Sequence, residues 1–70
     1  MSETIRLEIN GEAREVPPGL NVTGLLAHLG IVSNRVAIER NLDILPRDQW
    51  EKTDVCAGDR FEIVHLVGGG

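Results

Sequence analysis

Cysteine is almost missing from this 70-residue chain: Cys56 stands alone. That excludes an internal disulfide, and with no Cys-x-x-Cys pair or Cys/His cluster it excludes a zinc site of the usual kind. Aromatics are as scarce, with Trp50 and Phe61 the only two. The core must therefore be aliphatic, near the lower size limit at which a domain holds without metals or cross-links. Positive charge is also short, since eleven acidic against seven basic residues leave a net charge of −4. An acidic chain without a basic stripe is a poor partner for nucleic acid or an anionic membrane surface. No apolar run could span a bilayer, and the opening Met1-Ser2-Glu3-Thr4 lacks the regions of a signal peptide, so a soluble, cytoplasmic protein is expected. What remains is a hydrophobic fraction of 41%, enough for one small core, and a cluster of three glycines at 68–70.

Periodicity lays out the domain. Residues 4–9 alternate strictly, Ile5, Leu7 and Ile9 on one face and Arg6 and Glu8 on the other, the pattern of a half-buried strand. Asn10-Gly11 signals a hairpin, with residues 13–16 as the return strand and Pro17-Pro18-Gly19 as its stop. Val22, Leu25, Leu26 and Leu29 form one stripe of a short helix, with Asn21 as N-cap, Gly30 as terminator and Gly24 as a weak point. Residues 35–40 predict a third strand, and residues 41–45 a turn and a very short strand. Pro46 opens a single helical turn that ends at Trp50, which packs that turn onto the sheet edge. Residues 51–56 read as a connector and 57–60 as a turn. Residues 61–67, apolar on both faces, predict a central final strand. One helix and four or five strands give an α+β fold with the helix on one face of a mixed sheet, which fits the ubiquitin-like β-grasp. Residues 1–67 form the single expected domain and residues 68–70 a flexible tail.

Gly68-Gly69-Gly70 follow directly on the apolar strand. Glycine leaves φ unrestricted and lets another backbone come close, so a chain ending here presents a slim, bare carboxylate that can thread into a narrow active site. A frayed terminus is the plain alternative.

The stretches Val36-Ala37-Ile38-Glu39-Arg40-Asn41 and Ile44-Leu45-Pro46-Arg47-Asp48-Gln49-Trp50, and the run from Gly58-Asp59-Arg60 through His65 to Gly70, together resemble the thiamine-biosynthesis sulfur carrier family, ThiS. With the opening Ile-Asn-Gly hairpin the resemblance covers nearly the whole chain. It departs only in ending on three glycines rather than the minimal pair. The resemblance implies that Gly70 is the modified residue, with Gly68 and Gly69 threading into partner active sites. An E1-like adenylyltransferase of the ThiF type would use Mg-ATP to convert the Gly70 carboxylate to an acyl-adenylate. Sulfur derived from a cysteine desulfurase would replace AMP, and the resulting thiocarboxylate would serve a ThiG-type thiazole synthase. No cofactor would be bound by this chain, and no catalytic or metal-ligating residue is expected on it; adenylation supplies the leaving group that a carboxylate lacks.

On the last strand Phe61, Ile63, His65 and Val67 share one face, and Glu62, Val64 and Leu66 the other. With the helix over Phe61 and Ile63, Val64 and Leu66 are expected exposed near the tail as a docking patch for the adenylating enzyme. Asp59, Glu62 and Glu39 are candidates for steering a basic partner, or for a plain solvated face. His28, His65 and Cys56 read as surface or structural groups. A small subunit of molybdopterin synthase and a ubiquitin-like protein modifier share the Gly-Gly end; a single lysine, Lys52, counts slightly against the modifier, and a plain interaction domain would make the tail dispensable.

Overall fold

The computed structural model describes residues 3–66. The alternation at the start of the chain gives strand β1, Ile5–Ile9, with Leu7 and Ile9 buried and Arg6 exposed. Asn10 and Gly11 take φ values of 51° and 83°, as a two-residue type I′ turn requires. The chain returns antiparallel as β2, Glu12–Val16, with Glu12 already opposite Ile9. The strand thus begins one residue before the expected position, because so tight a turn leaves no unpaired residue.

Helix α1 spans Val22–Leu29. Asn21 caps it, its side-chain oxygen accepting from the Gly24 N–H at 2.7 Å. Gly30, at φ 73°, ends it: its N–H donates to the Ala27 carbonyl and the Ile31 N–H to the Leu26 carbonyl, the paired bonds of a Schellman motif. Gly24 carries a packing role besides its helix penalty. A Cβ there would lie 3.2 Å from the capping oxygen of Asn21 and 3.4 Å from Leu20 Cδ2. Val22, Leu25 and Leu26 are fully buried by the sheet, and Leu29 is partly so.

After a short 3-10 turn at Ser33–Arg35 comes β3, Val36–Arg40, then the turn Asn41-Leu42 and strand β4, Asp43–Leu45. This second hairpin also has both turn residues at positive φ, 52° and 74°. The second is a leucine, which costs about 1 kcal/mol more than glycine in that region. The expected helical turn is a 3-10 turn, Arg47–Gln49, with Pro46 just outside it. Trp50 closes it from inside the core, 4% exposed, its indole N–H donating to the Leu45 carbonyl at 3.0 Å. The Arg47 guanidinium lies 4.7 Å above that ring and donates to the Ser33 carbonyl at 2.8 Å, so the Pro-Arg-x-x-Trp segment pins the end of β4 to the approach of β3. Residues 51–56 are more ordered than a connector. The Val22 N–H donates to the Thr53 carbonyl and the Val55 N–H to the Leu20 carbonyl, a bridge that ties this segment to the start of α1.

Strand β5, Arg60–His65, is central in the sheet order β2-β1-β5-β3-β4. It runs parallel to β1 and antiparallel to β3, and α1 covers one face: the β-grasp arrangement that the element order predicts. The core is aliphatic, as the composition requires, with Leu7, Val16, Leu25, Leu26, Val36 and Ile38 around Phe61. Each such side chain contributes roughly 2 kcal/mol on burial.

The β1–β5 ladder is short, and Asn10 extends it with its side chain. Its amide oxygen accepts from the Ile63 N–H at 2.8 Å and its amide nitrogen donates to the Ile63 carbonyl at 3.2 Å. Asn10→Gly keeps the positive φ but strips both bonds, and is expected to lower unfolding free energy by about 2 kcal/mol in urea titrations. An unchanged midpoint would mean that water replaces the amide without loss.

Candidate functional site

Strand β5 sets the site because its two faces meet different surroundings. Phe61 and Ile63 point under α1 and are buried, whereas Glu62 and Val64 point to the uncovered face and are exposed, Val64 at 53%. Leu66 is exposed at 54%, and its N–H donates to the Arg35 carbonyl at 2.8 Å, so the chain is still held against the β3 side one residue beyond the strand. The expected exposure of Val64 and Leu66 is therefore found. Gly68, Gly69 and Gly70 lie outside the described residues, as does Val67.

Strand register supplies neighbours that the sequence alone did not. Ala37 sits directly opposite Val64, Glu39 opposite Glu62, and Ile44 opposite Glu39. Ile44 is 79% exposed. The uncovered face thus carries Val64, Ala37 and Ile44 around a pair of facing glutamates. Reading residues 41–45 as a turn and a very short strand was correct, but which face Ile44 joins depends on its pairing with β3. Leu66 contributes elsewhere, lining a shallow groove with Gly30, Ile31, Val32, Arg35 and His65. Val32 adds a further exposed apolar side chain there.

Asp59, read as a surface acid that either steers a partner or is plainly solvated, is corrected to a buried structural one. It is 6% exposed and receives four hydrogen bonds: from Arg40 Nε to Oδ2 at 3.2 Å and Nη2 to Oδ1 at 3.3 Å, from Asn41 Nδ2 at 3.4 Å, and from the Cys56 N–H at 2.9 Å. Its backbone carbonyl also accepts from the Glu8 N–H, so the turn before β5 is locked to both β1 and β3. A buried carboxylate is stable only with such a set of donors. The signal was the crowding of Arg40-Asn41 and Gly58-Asp59 at the ends of two strands, which only topology brings together.

The other polar groups are spread out. His28 and His65 are exposed on different elements, and the Cys56 thiol is exposed, 3.9 Å from the Asp54 carbonyl oxygen. Among the described residues no group of three or more His, Cys, Asp or Glu could hold a metal ion, and no helix is long and apolar enough to cross a membrane. Among the described residues the arrangement is suited to presenting a surface, with β5 as the support.

The ThiS family model matches residues 7–70. A thiazole synthase of Paramagnetospirillum magneticum is 44% identical over 66 residues, which are 94% of this chain and 20% of that protein. The chain therefore spans about a fifth of the length of the first relatives it matches. The sulfur carrier protein ThiS of Bacillus subtilis is 37% identical over 49 residues, covering 70% of this chain and 74% of that one. The crystal structure of the thiamine biosynthesis protein ThiS from Geobacter metallireducens superposes with a TM-score of 0.82 at 35% identity, covering 94% of this chain and all of the other.

Proposed function

The chain belongs to the ThiS family, and we propose that it carries sulfur for thiamine biosynthesis on the carboxylate of Gly70. The observation that supports this most is the extent of the family match, which runs from β1 through all three glycines. An E1-like adenylating enzyme activates the carboxylate with Mg-ATP. The terminal sulfur of a desulfurase-derived persulfide then attacks the acyl carbon and expels AMP, giving an acyl disulfide. A thiol cleaves its S–S bond, leaving the thiocarboxylate and a disulfide. A thiocarboxylate is a stronger acid than a thiol, so it is ionised and nucleophilic at neutral pH without a neighbouring base. The chain itself needs no catalytic group or bound cofactor: it presents the reacting atom, and its partners supply the active sites.

Two further observations fit this reading. Strand β5, the last element before the glycines in sequence, is central in the sheet and paired on both edges, a firm support for the carrier reading. Relatives named thiazole synthase contain a counterpart of this domain within a chain about five times as long, which supports thiazole synthase as the acceptor of the sulfur.

Intact mass spectrometry tests the proposal. After incubation with ATP, the adenylating enzyme, a persulfide source and a thiol reductant, the mass should rise by about 16 Da, localised to the last peptide. A carboxylate that stays unmodified with all components active would sink the reading. So would a Gly70 found inside a longer polypeptide with no free carboxylate. Transfer of the sulfur to the large molybdopterin synthase subunit, and not to thiazole synthase, would keep the carrier but change its pathway.

A further inference from the structure

The facing glutamates on the uncovered sheet face are placed against the interest of the fold. Residues directly opposite on antiparallel strands have Cβ atoms about 5 Å apart, and like charges there destabilise the sheet. Glu39 and Glu62 stand in that relation across β3 and β5. The nearby cations are committed elsewhere. Arg60, two residues from Glu62 on the same face, is paired with Glu8 at 3.2 Å. Arg40 belongs to Asp59, and Arg47 lies over Trp50 and donates to Ser33. Among the described residues neither Glu39 nor Glu62 takes part in an ion pair.

Toward Val64 and β4 the surroundings of the pair are apolar. Val64 and Ala37 lie one step along the same two strands, and Ile44 lies beside Glu39 on β4, with Val64 and Ile44 open to solvent. A face of this kind complements a partner that is itself apolar and brings one cation to its centre. Guanidinium fits best, because its planar fork can donate to two carboxylates at once while its stem lies along aliphatic side chains. Two carboxylates on an open face fall short of the roughly six to eight oxygens of a calcium site.

We propose that Glu39 and Glu62 form a clasp for an arginine of the adenylating partner, seated between Ile44 and Val64. The proposal rests on the sulfur-carrier reading above and names what that partner must present. The clasp then trades a little folding stability for recognition: repulsion in the free protein is relieved only when the partner's cation arrives.

The test compares E39Q/E62Q with the wild type and with E15Q/E51Q, which removes the same charge from exposed positions away from the patch. Affinity for the cognate adenylating enzyme is measured by calorimetry at several salt concentrations, beside thermal melts and the thiocarboxylate mass assay. E39Q/E62Q is expected to bind about tenfold or more weakly with a flatter salt dependence, and to melt at the same or a higher temperature. E15Q/E51Q should bind nearly as the wild type does. Equal weakening by both double variants would replace the clasp by general steering, and unchanged affinity of E39Q/E62Q would overturn it. In both cases a wild type that still gains sulfur leaves the carrier reading standing; a wild type that neither binds nor gains sulfur removes both.

Discussion

Asp59→Ala is expected to lower the unfolding free energy by about 3 kcal/mol, the lower end of what breaking a buried ion pair costs. The lower end applies because the Arg40 side chain keeps 30% of its exposure and can recover some hydration. The Cys56 N–H and the Asn41 amide lose their acceptor in the same step. For a domain of this size the melting temperature should fall by roughly 15 °C. Asp59→Asn, which keeps the shape and one acceptor oxygen, should fall by about half as much. Thermal melts followed by circular dichroism decide the matter. Equal, small losses for both variants would show that the network adds little beyond its shape.

The second large effect concerns chemistry and leaves the fold alone. Gly69→Val and deletion of Gly70 should each cut thiocarboxylate formation by about hundredfold or more, since ångström-scale misplacement of a reacting group has that effect. On the carrier reading proposed above the glycines pass a narrow channel; a β-branched side chain there restricts φ and adds width, and deletion removes the carboxylate from its expected reach. The thermal melt should not change, because the core ends with β5. Normal loading of either variant by the cognate adenylating enzyme, with an unaltered melt, would show that the glycines are dispensable.

Much of this molecule could be read from local pattern. Ile5, Leu7 and Ile9 alternate, Asn10-Gly11 supplies a turn with positive φ, and Asn21 and Gly30 bracket a helix whose apolar stripe is continuous. Each of those signals sits within a few residues and needs no knowledge of the rest of the chain. The exposure of Val64 followed from the same alternation once the helix was placed over Phe61 and Ile63. Long-range partnerships were not legible. The hydrogen bonds of Asn10 to Ile63 span 53 positions, and a turn residue gives no sign that its side chain also completes a ladder. Asp59 looked like any surface acid next to a glycine until β3 and β5 brought Arg40 and Asn41 to it. Ile44 was placed on a strand but joined to the patch only through its register with Glu39. The turn at 41–42 was legible from Asn41, but Leu42, neither glycine nor asparagine, gave no sign that it would take φ 74°.

The position of β5 has a mechanical consequence. Its neighbours grip it from both sides, through the Glu8 and Asn10 bonds on one edge and the pairing with β3 on the other. A force applied along the strand at His65 therefore loads these bonds together in shear and does not peel them apart one after another. On the carrier reading proposed above, an enzyme that takes hold of this end can pull on it, and later strip the protein away by it, without unravelling the domain.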